Sequence, residues 1–172
     1  MEILLVSPDS IKIKGKYASV IIDPPVDGAK NSADAVVFMQ QDRTSTIKVD
    51  EHRLVIDGAG EYEIGQIKIT GFRFKEGRAY EFNVDGISIL LVSSETLKNA
   101  QGIGKDYKIV VVKSDSNIDA SAITALAPRV TVFYGKNATV SAKELGKEPQ
   151  VTSKYQITYD KLPEEMAVVV LE

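Results

Sequence analysis

The segment VIDGAGEYEIGQIKITGF, residues 55–72, is the most informative part of this sequence. Its short β-branched runs, separated by glycines, are typical of strands and cover residues 54–56, 61–64 and 67–70. The glycines do not form a dinucleotide-binding fingerprint, because Glu63 stands where the third glycine is required and no helical pattern follows. The segment therefore predicts consecutive β-strands joined by tight turns.

Strand patterns continue on both sides of this segment. Short apolar or alternating runs predict strands at residues 3–6, 10–14, 19–22 and 35–38. Proline lacks the donor that a strand ladder needs, so Asp23-Pro24-Pro25 ends the third of them. Residues 79–84 and 87–92 predict a hairpin, since Asp85-Gly86 between them tolerates positive φ at both turn positions.

The last third of the chain changes to alternating strands and helices. Strands are predicted at residues 109–112, 130–133 and 164–171, and helices at 119–127 and 140–145. Asn117 or Asp119 can cap the first helix, and Thr139 or Ser141 the second. Strand, helix and strand within so short a segment predict a parallel crossover. We therefore expect one strand-rich α/β domain spanning residues 1–172.

Composition excludes several classes of partner. The 172 residues include 21 Lys and Arg against 24 Asp and Glu, for a net charge of -3. Without a basic excess, we expect no nucleic-acid binding. No apolar run approaches the roughly 20 residues that span a membrane, and the N-terminal segment lacks the positive charge of a secretory signal. We therefore expect a cytoplasmic protein that does not contact membranes.

Histidine and cysteine counts constrain the chemistry most. The sequence has no cysteine and one histidine, His52. The absence of cysteine rules out disulfides, thiolate zinc sites and cysteine nucleophiles. His52 lies in the polar segment Asp50-Glu51-His52-Arg53, where an exposed turn is expected.

Other candidate motifs fail on their own spacing. Asp115–Asp119 opens like an EF-hand calcium loop, but Ala120 and Leu126 stand at the glycine and glutamate positions. The P-loop-like segment Gly102-Ile103-Gly104-Lys105 is followed by Asp106, which would repel phosphate.

Two further groups favour structural roles. Ser93-Ser94 is more simply a helix cap than a nucleophile, because no histidine lies near it in sequence. Glu61 and Glu63, near Asp57, share one strand face and are expected to be solvated.

The 55–72 segment resembles a signature of one branch of the metallo-β-lactamase superfamily. This branch contains small bacterial and archaeal zinc-dependent hydrolase-like proteins related to the L-ascorbate-6-phosphate lactonases. Further resemblance covers most of the chain, in MEILLVSPDSIKIKGKYASVIIDPP, SADAVVF, VDGISILLV, SNIDASAITALAPRVTVFYG and LPEEMAVVVLE. The resemblance implies an αββα sandwich of two mixed β-sheets that face each other, with helices outside.

The resemblance also implies where metal ligands would stand. The H-x-H-x-D-H motif of the family follows the fourth strand, where this sequence has Gln40 and Asp42 for the first two histidines, Thr44 for the aspartate and Ser45 for the last histidine. The bridging aspartate falls near Ser94, and the final histidine near Gly135. Asp42 is thus the one anionic residue among these positions, and we expect no metal and no other cofactor.

Three functions follow from this substitution pattern. The leading hypothesis is a pseudoenzyme that acts by binding a protein or by assembly, with no catalytic residues. One alternative is a metal-dependent hydrolase with an altered, oxygen-ligated site that includes Asp42. The other is a small-ligand sensor whose degenerate cleft uses Gln40, Asp42 and Ser94. Short strands such as residues 79–84 can leave sheet edges exposed, so we also expect a homo-oligomer.

Overall fold

Two mixed β-sheets lie face to face in this protein and bury an apolar core between them. The computed structural model describes residues 1–27, 30–40, 48–100, 102–104 and 106–172. The predicted strand-rich α/β sandwich of mixed sheets is confirmed.

The first sheet is built mainly from the N-terminal strands. Its strands are β1 (Glu2–Ser7), β2 (Ser10–Lys14), β3 (Ser19–Ile22), β5 (Ala35–Val37), β7 (Leu54–Ile56) and β15 (Lys154–Gln156). They are ordered β15-β1-β2-β3-β5-β7, and the pairs β3–β5 and β5–β7 are parallel. Two very short strands, β4 (Asn31–Ser32) and β6 (Val49–Asp50), pair beside this sheet.

The second sheet has eight strands in the described ranges. They are β8 (Gly60–Ile64), β9 (Ile67–Arg73), β10 (Arg78–Val84), β11 (Ile87–Ser93), β12 (Ile109–Lys113), β13 (Val130–Tyr134), β14 (Gln150–Thr152) and β16 (Ala167–Leu171). Their order is β14-β16-β13-β12-β11-β10-β9-β8, antiparallel from β8 to β11 and parallel from β11 to β14.

Helices of the described ranges pack on the outer face of the eight-stranded sheet. They are α1 (Leu97–Ala100), α2 (Ala120–Leu126) and α3 (Ala138–Glu144), and a 3-10 turn follows at Tyr159–Lys161. The predicted cap of α2 is confirmed, since the Asp119 carboxylate accepts a hydrogen bond of 3.1 Å from the Ser121 N–H. The cap predicted for α3 is wrong: the helix begins after Asn137, and Ser141 is buried within it.

Length and hydropathy separate these helices from membrane spans. No helix in the described part of the chain is long and apolar enough to cross a bilayer.

The predicted hairpin and the predicted crossover, which runs through α2, are present, and a second crossover runs through α1. Asp85 and Gly86 join β10 to β11 with φ of 51° and 80°, as a two-residue turn with positive φ at both positions requires. The connections through α1 and α2 link parallel strands. The expectation that residues 79–84 form a sheet edge is wrong, because β10 pairs with β9 on one side and β11 on the other. Its inward side chains Tyr80, Phe82 and Val84 are buried in the core between the sheets.

The alternation of side chains along the central strands determines which residues point between the sheets. On β12, Ile109 and Val111 belong to the core between the sheets, whereas Val110 and Val112 pack against the helices. Lys113 continues the inward row, at the carboxyl end of the strand. The inward row of β13 likewise ends in Tyr134, and the inward row of β10, which is antiparallel to β11, begins at the same edge with Arg78. Polar side chains therefore close the core at this edge.

Candidate functional site

The carboxyl ends of five strands meet at one edge of the sandwich, which we call the strand-end edge. It contains the residues that follow β3 and β5 in the first sheet and β11, β12 and β13 in the second, namely Asp23, Phe38–Gln40, Ser94, Ser114–Ser116 and Gly135. Contacts across the sandwich join the two sides: the Tyr80 hydroxyl donates to the Phe38 carbonyl at 2.8 Å, and Lys113 pairs with Asp23. This is the edge at which the resemblance predicts metal ligands.

Three of the six residues predicted for the degenerate pocket can be located. Gln40, Ser94 and Gly135 all lie at the strand-end edge. Asp42, Thr44 and Ser45 lie outside the described residues. The three located residues thus lie at the same edge of the sandwich, each after the end of a different strand.

Gln40 contributes its backbone to the strand-end edge. Its side chain is exposed, and its carbonyl oxygen accepts a hydrogen bond from the Arg78 guanidinium. The same guanidinium nitrogen donates to the Phe38 carbonyl at 3.3 Å. Arg78 therefore holds the chain after β5 against the eight-stranded sheet.

Ser94 belongs to a cluster of hydroxyl groups around one carboxylate. The Ser116 hydroxyl donates to the Ser94 hydroxyl at 2.9 Å and lies 3.0 Å from a Glu95 carboxylate oxygen, and Ser94 lies 3.3 Å from that oxygen. Burial acts to raise the pKa of Glu95, but hydrogen bonds from its own backbone N–H and from Ser93, Ser116 and Ser94 outweigh it and lower the pKa. Glu95 is therefore an ionised acceptor near neutral pH and unsuited to act as a general acid.

Gly135 occupies a backbone conformation that excludes a side chain. Its φ is +100°, which side-chain-bearing residues rarely adopt. A Cβ atom at this position would lie 2.9 Å from an Asp115 carboxylate oxygen and 3.0 Å from the Ser114 carbonyl oxygen. A histidine at this position, near which the resemblance places the final ligand, would thus have a strained backbone and would require Asp115 and the Ser114 carbonyl to shift.

A buried ion pair that the sequence analysis missed connects the two sheets. The Lys113 ammonium lies 3.3 Å from an Asp23 carboxylate oxygen, with side chains 8% and 1% exposed. A second carboxylate, that of Asp115, lies 4.0 Å from the same ammonium. Asp23 was recognised only as the end of β3. The alternation of β12 could have identified Lys113, because it is separated from Ile109 and Val111 by an even number of residues and therefore points to the same, inward side.

Two buried polar atoms at or near this edge have no hydrogen-bond partner among the described residues, the Tyr134 hydroxyl and the Arg78 Nε. Burial raises the pKa of Tyr134 well above its usual value, and the nearby carboxylates of Asp23, Asp115 and Asp9 raise it further. Tyr134 is therefore a neutral phenol at any physiological pH.

His52 lies away from the strand-end edge. It precedes β7, whose first residue, Leu54, pairs with Ala35 at the start of β5, whereas Gln40 follows the end of β5. A ring nitrogen of His52 contacts the Val49 carbonyl at 2.6 Å. The histidine is thus at the opposite end of these strands and cannot serve as a ligand at the strand-end edge.

The described residues at the implied ligand positions do not fit a catalytic zinc ion. Such a site uses three protein ligands, usually histidines or carboxylates, and leaves one position open for water. Of the positions located here, Gln40 points to solvent, Ser94 offers a neutral hydroxyl and Gly135 offers no side chain. Within the described ranges, no three His, Cys, Asp or Glu side chains are grouped so that they could hold a metal ion.

The remaining candidate motifs have structural roles. Asp119 caps α2, and Asp106 lies in the turn before β12 with φ of 65°. Glu61 and Glu63 are exposed on β8, where Glu63 lies opposite Lys68. These residues support the solvated and capping interpretations.

Comparison with known proteins relates the chain to hydrolases by structure. No family model matches the sequence, and no curated protein sequence matches it. A protein from Thermotoga maritima described as a Zn-dependent hydrolase of the metallo-β-lactamase superfamily superposes with a TM-score of 0.77 at 19% identity, over 100% of this chain and 99% of that one.

Two further solved structures show the same likeness at lower similarity. A protein from Parabacteroides distasonis described as a metal-dependent hydrolase gives a TM-score of 0.61 at 12% identity, over 99% of this chain and 93% of that one. A diphosphatase of the PhnP family gives 0.57 at 11% identity, over 92% and 79%. At these identities the likeness is one of architecture. The chain therefore has the metallo-β-lactamase fold, as the sequence resemblance predicted.

Proposed function

We propose that this protein is a catalytically inactive representative of the metallo-β-lactamase fold that acts by binding, without a metal ion. Hydrolysis in this fold requires a metal that lowers the pKa of a bound water and so generates the nucleophile. A protein that keeps the sandwich but lacks the ligands retains a rigid surface and loses that chemistry. Fold alone does not carry function, so the proposal rests on the site.

The backbone of Gly135 is the observation that carries the proposal. Where a ligand has been substituted but the backbone is unchanged, a single substitution could bring a ligand back at that position or at a neighbouring one. At Gly135 the φ of +100° and the contacts that a Cβ would make with Asp115 and Ser114 oppose any side chain. At Gly135 the backbone conformation, and not only the absence of a side chain, therefore disfavours a metal ligand.

The other located positions support the same proposal. Ser94 is already engaged with Ser116 and Glu95, and the backbone carbonyl of Gln40 is engaged with Arg78. A metal bound here would have to compete with these hydrogen bonds, and Ser94 and the Gln40 carbonyl would offer it only neutral oxygens. Neutral oxygens bind zinc far more weakly than imidazole or carboxylate groups do.

Calorimetric titration with Zn²⁺ and Mn²⁺ tests the proposal together with a hydrolysis assay. We expect no binding in the micromolar range and no metal-stimulated cleavage of a lactone, an aryl ester or a phosphodiester. Gly135→His should bind Zn²⁺ no better than the unaltered protein. Tight one-to-one binding of either metal, with metal-dependent turnover, would overturn the proposal and favour the oxygen-ligated hydrolase that includes Asp42.

The cluster of Ser94, Ser116 and Glu95 favours a second candidate, a sensor of small polar ligands. Ser116 and the ionised Glu95 are exposed and Ser94 is buried beside them, so that three hydrogen-bonding groups lie close together. A thermal-shift screen with polyols and small amines, repeated on Glu95→Gln, distinguishes this candidate. A stabilising compound whose effect Glu95→Gln abolishes would support it, and an unchanged melting temperature across the screen would exclude these two classes.

A further inference from the structure

We propose that the Lys113 ammonium takes the structural place of a metal ion at the strand-end edge, as a cation built into the chain that links the two sheets. The inference rests on the proposed metal independence and adds a mechanism to it. It concerns a residue that lies at none of the positions that the resemblance assigns to metal ligands.

Lys113 lies at the end of a central strand of the eight-stranded sheet. Across the parallel strands, it stands in register with Ser93 on β11 and with Tyr134 on β13. The residues that follow these two neighbours are Ser94 and Gly135, the positions implied for the bridging and final ligands. The lysine therefore extends inward between the ends of β11 and β13. These are the strand ends at which the resemblance places the metal ligands of this sheet.

The Lys113 ammonium contacts a residue of the other sheet. Its partner, Asp23, follows β3 in the six-stranded sheet, 90 residues away in sequence, and the two charges are 3.3 Å apart. The second Asp23 carboxylate oxygen accepts a hydrogen bond of 3.1 Å from the Met39 N–H, in the segment after β5. Lys113 thus links β12 to the ends of β3 and β5. A metal bound by ligands that follow β5, β11 and β13 would make the same kind of connection between the sheets.

The burial of Asp23 makes its charge depend on a nearby cation. Asp23 is 1% exposed, and a carboxylate so deeply buried is strongly destabilising unless a cation and hydrogen bonds compensate it. It also adopts φ of 46°, a left-handed conformation that disfavours most side chains. The contacts from Lys113, Met39 and its own N–H to the Val37 carbonyl at 2.9 Å hold it there. Removing the cation alone should therefore cost far more than removing both charges.

A double-mutant cycle on the full chain tests the inference. Lys113→Met keeps the length of the side chain and removes the charge, and Asp23→Asn keeps an acceptor for the Met39 N–H. Each single variant should lower the melting temperature by about 10 °C, the scale of a broken buried pair in a protein of this size. The double variant should melt above at least one of the single variants. Lys98→Met is the matched control, because Lys98 pairs with Asp119 at 3.9 Å on the surface, and it should change the melting temperature by less than about 2 °C.

The outcomes separate this inference from the proposed function. Additive effects, or a Lys113→Met variant as stable as the unaltered protein, would overturn it even if the protein binds no metal. If Lys113→Met does not fold, a folded double variant supports the inference, and an unfolded one contradicts it. Stoichiometric metal in the unaltered protein would instead overturn the proposed function, and this inference with it.

Discussion

The core between the sheets and the strand-end edge differ in how their side chains are satisfied. In the core, fully buried aliphatic and aromatic side chains such as Phe82, Ile89 and Val132 need only space and shape. At the strand-end edge, buried charges face each other across the sandwich, and the hydroxyl of Tyr134 has no partner among the described residues. The core therefore tolerates changes of identity that conserve volume, whereas the edge depends on specific pairs.

This difference bears on how such a fold can be stable without a bound metal ion. Apolar packing supplies most of the stability of a domain and does not depend on a bound metal. The polar edge must still compensate any charge that it buries, and here Lys113 and Asp23 compensate each other.

The largest expected effect tests the core. β16 lies between β13 and β14 inside the eight-stranded sheet, and four of its five residues are buried. Truncation after Leu162 removes this strand and exposes the apolar face beneath it. We expect no soluble, cooperatively melting protein, as judged by size-exclusion chromatography and a circular-dichroism melt. A truncated chain that melts cooperatively would show that the sandwich does not depend on its full second sheet.

A substitution within the core should have the next largest effect. Phe82 is fully buried between the sheets on the central strand β10. Phe82→Ala removes a large side chain without a polar partner, and we expect a loss of about 3–5 kcal/mol in the free energy of unfolding. Urea denaturation measures it, with Phe82→Leu as the control that keeps a large apolar side chain and should cost less than Phe82→Ala. A loss below about 1 kcal/mol would indicate a core that is looser than the packing implies.

Substitution of Gly135, at the strand-end edge, should lower the free energy of unfolding by less than Phe82→Ala does. Gly135→Ala combines a left-handed backbone conformation with two close contacts, so we expect a loss of about 2–3 kcal/mol. Gly86→Ala is the matched control, because Gly86 has φ of +80° but no atom within 4 Å of the added Cβ. Its cost should be about 1 kcal/mol, from the backbone alone. Equal costs in urea denaturation would mean that Asp115 and Ser114 yield without strain.

The smallest expected effect concerns the Tyr134 hydroxyl. Because this group is buried without a protein partner among the described residues, Tyr134→Phe should leave the free energy of unfolding within about 0.5 kcal/mol or raise it slightly. Tyr80→Phe is the control, since it removes the 2.8 Å hydrogen bond to the Phe38 carbonyl and should cost about 1 kcal/mol. A cost for Tyr134→Phe above that of Tyr80→Phe would point to a bridging water.

The fold followed from local patterns that tertiary contacts reinforce. The Asp85-Gly86 turn, the Asp119 cap and the apolar run of β12 each have a local physical cause, and each was predicted. The start of α3 was missed, because Thr139 and Ser141 resembled caps while Ser141 is buried against Ser114. Sequence cannot distinguish a capping hydroxyl from one that packs against a strand end.

The site was less predictable, because its residues are distant in sequence. The resemblance placed Ser94 and Gly135 at strand ends, but the positive φ of Gly135 could not be read from its identity alone. The Asp23–Lys113 pair joins residues from opposite sheets, so neither had a local partner to suggest it. Inward parity identified Lys113 as a buried lysine only once the strand bounds were known.

Elemental analysis of the protein purified without a metal-chelating tag, paired with melting curves with and without EDTA, tests the central claim most directly. We expect far less than one equivalent of zinc, manganese or iron and a melting temperature that EDTA does not change. A structural zinc ion can contribute on the order of 10 kcal/mol to folding, so its removal would be visible. Stoichiometric metal, or a melting temperature that falls by several degrees with EDTA, would contradict the claim that the strand-end edge works without a metal ion.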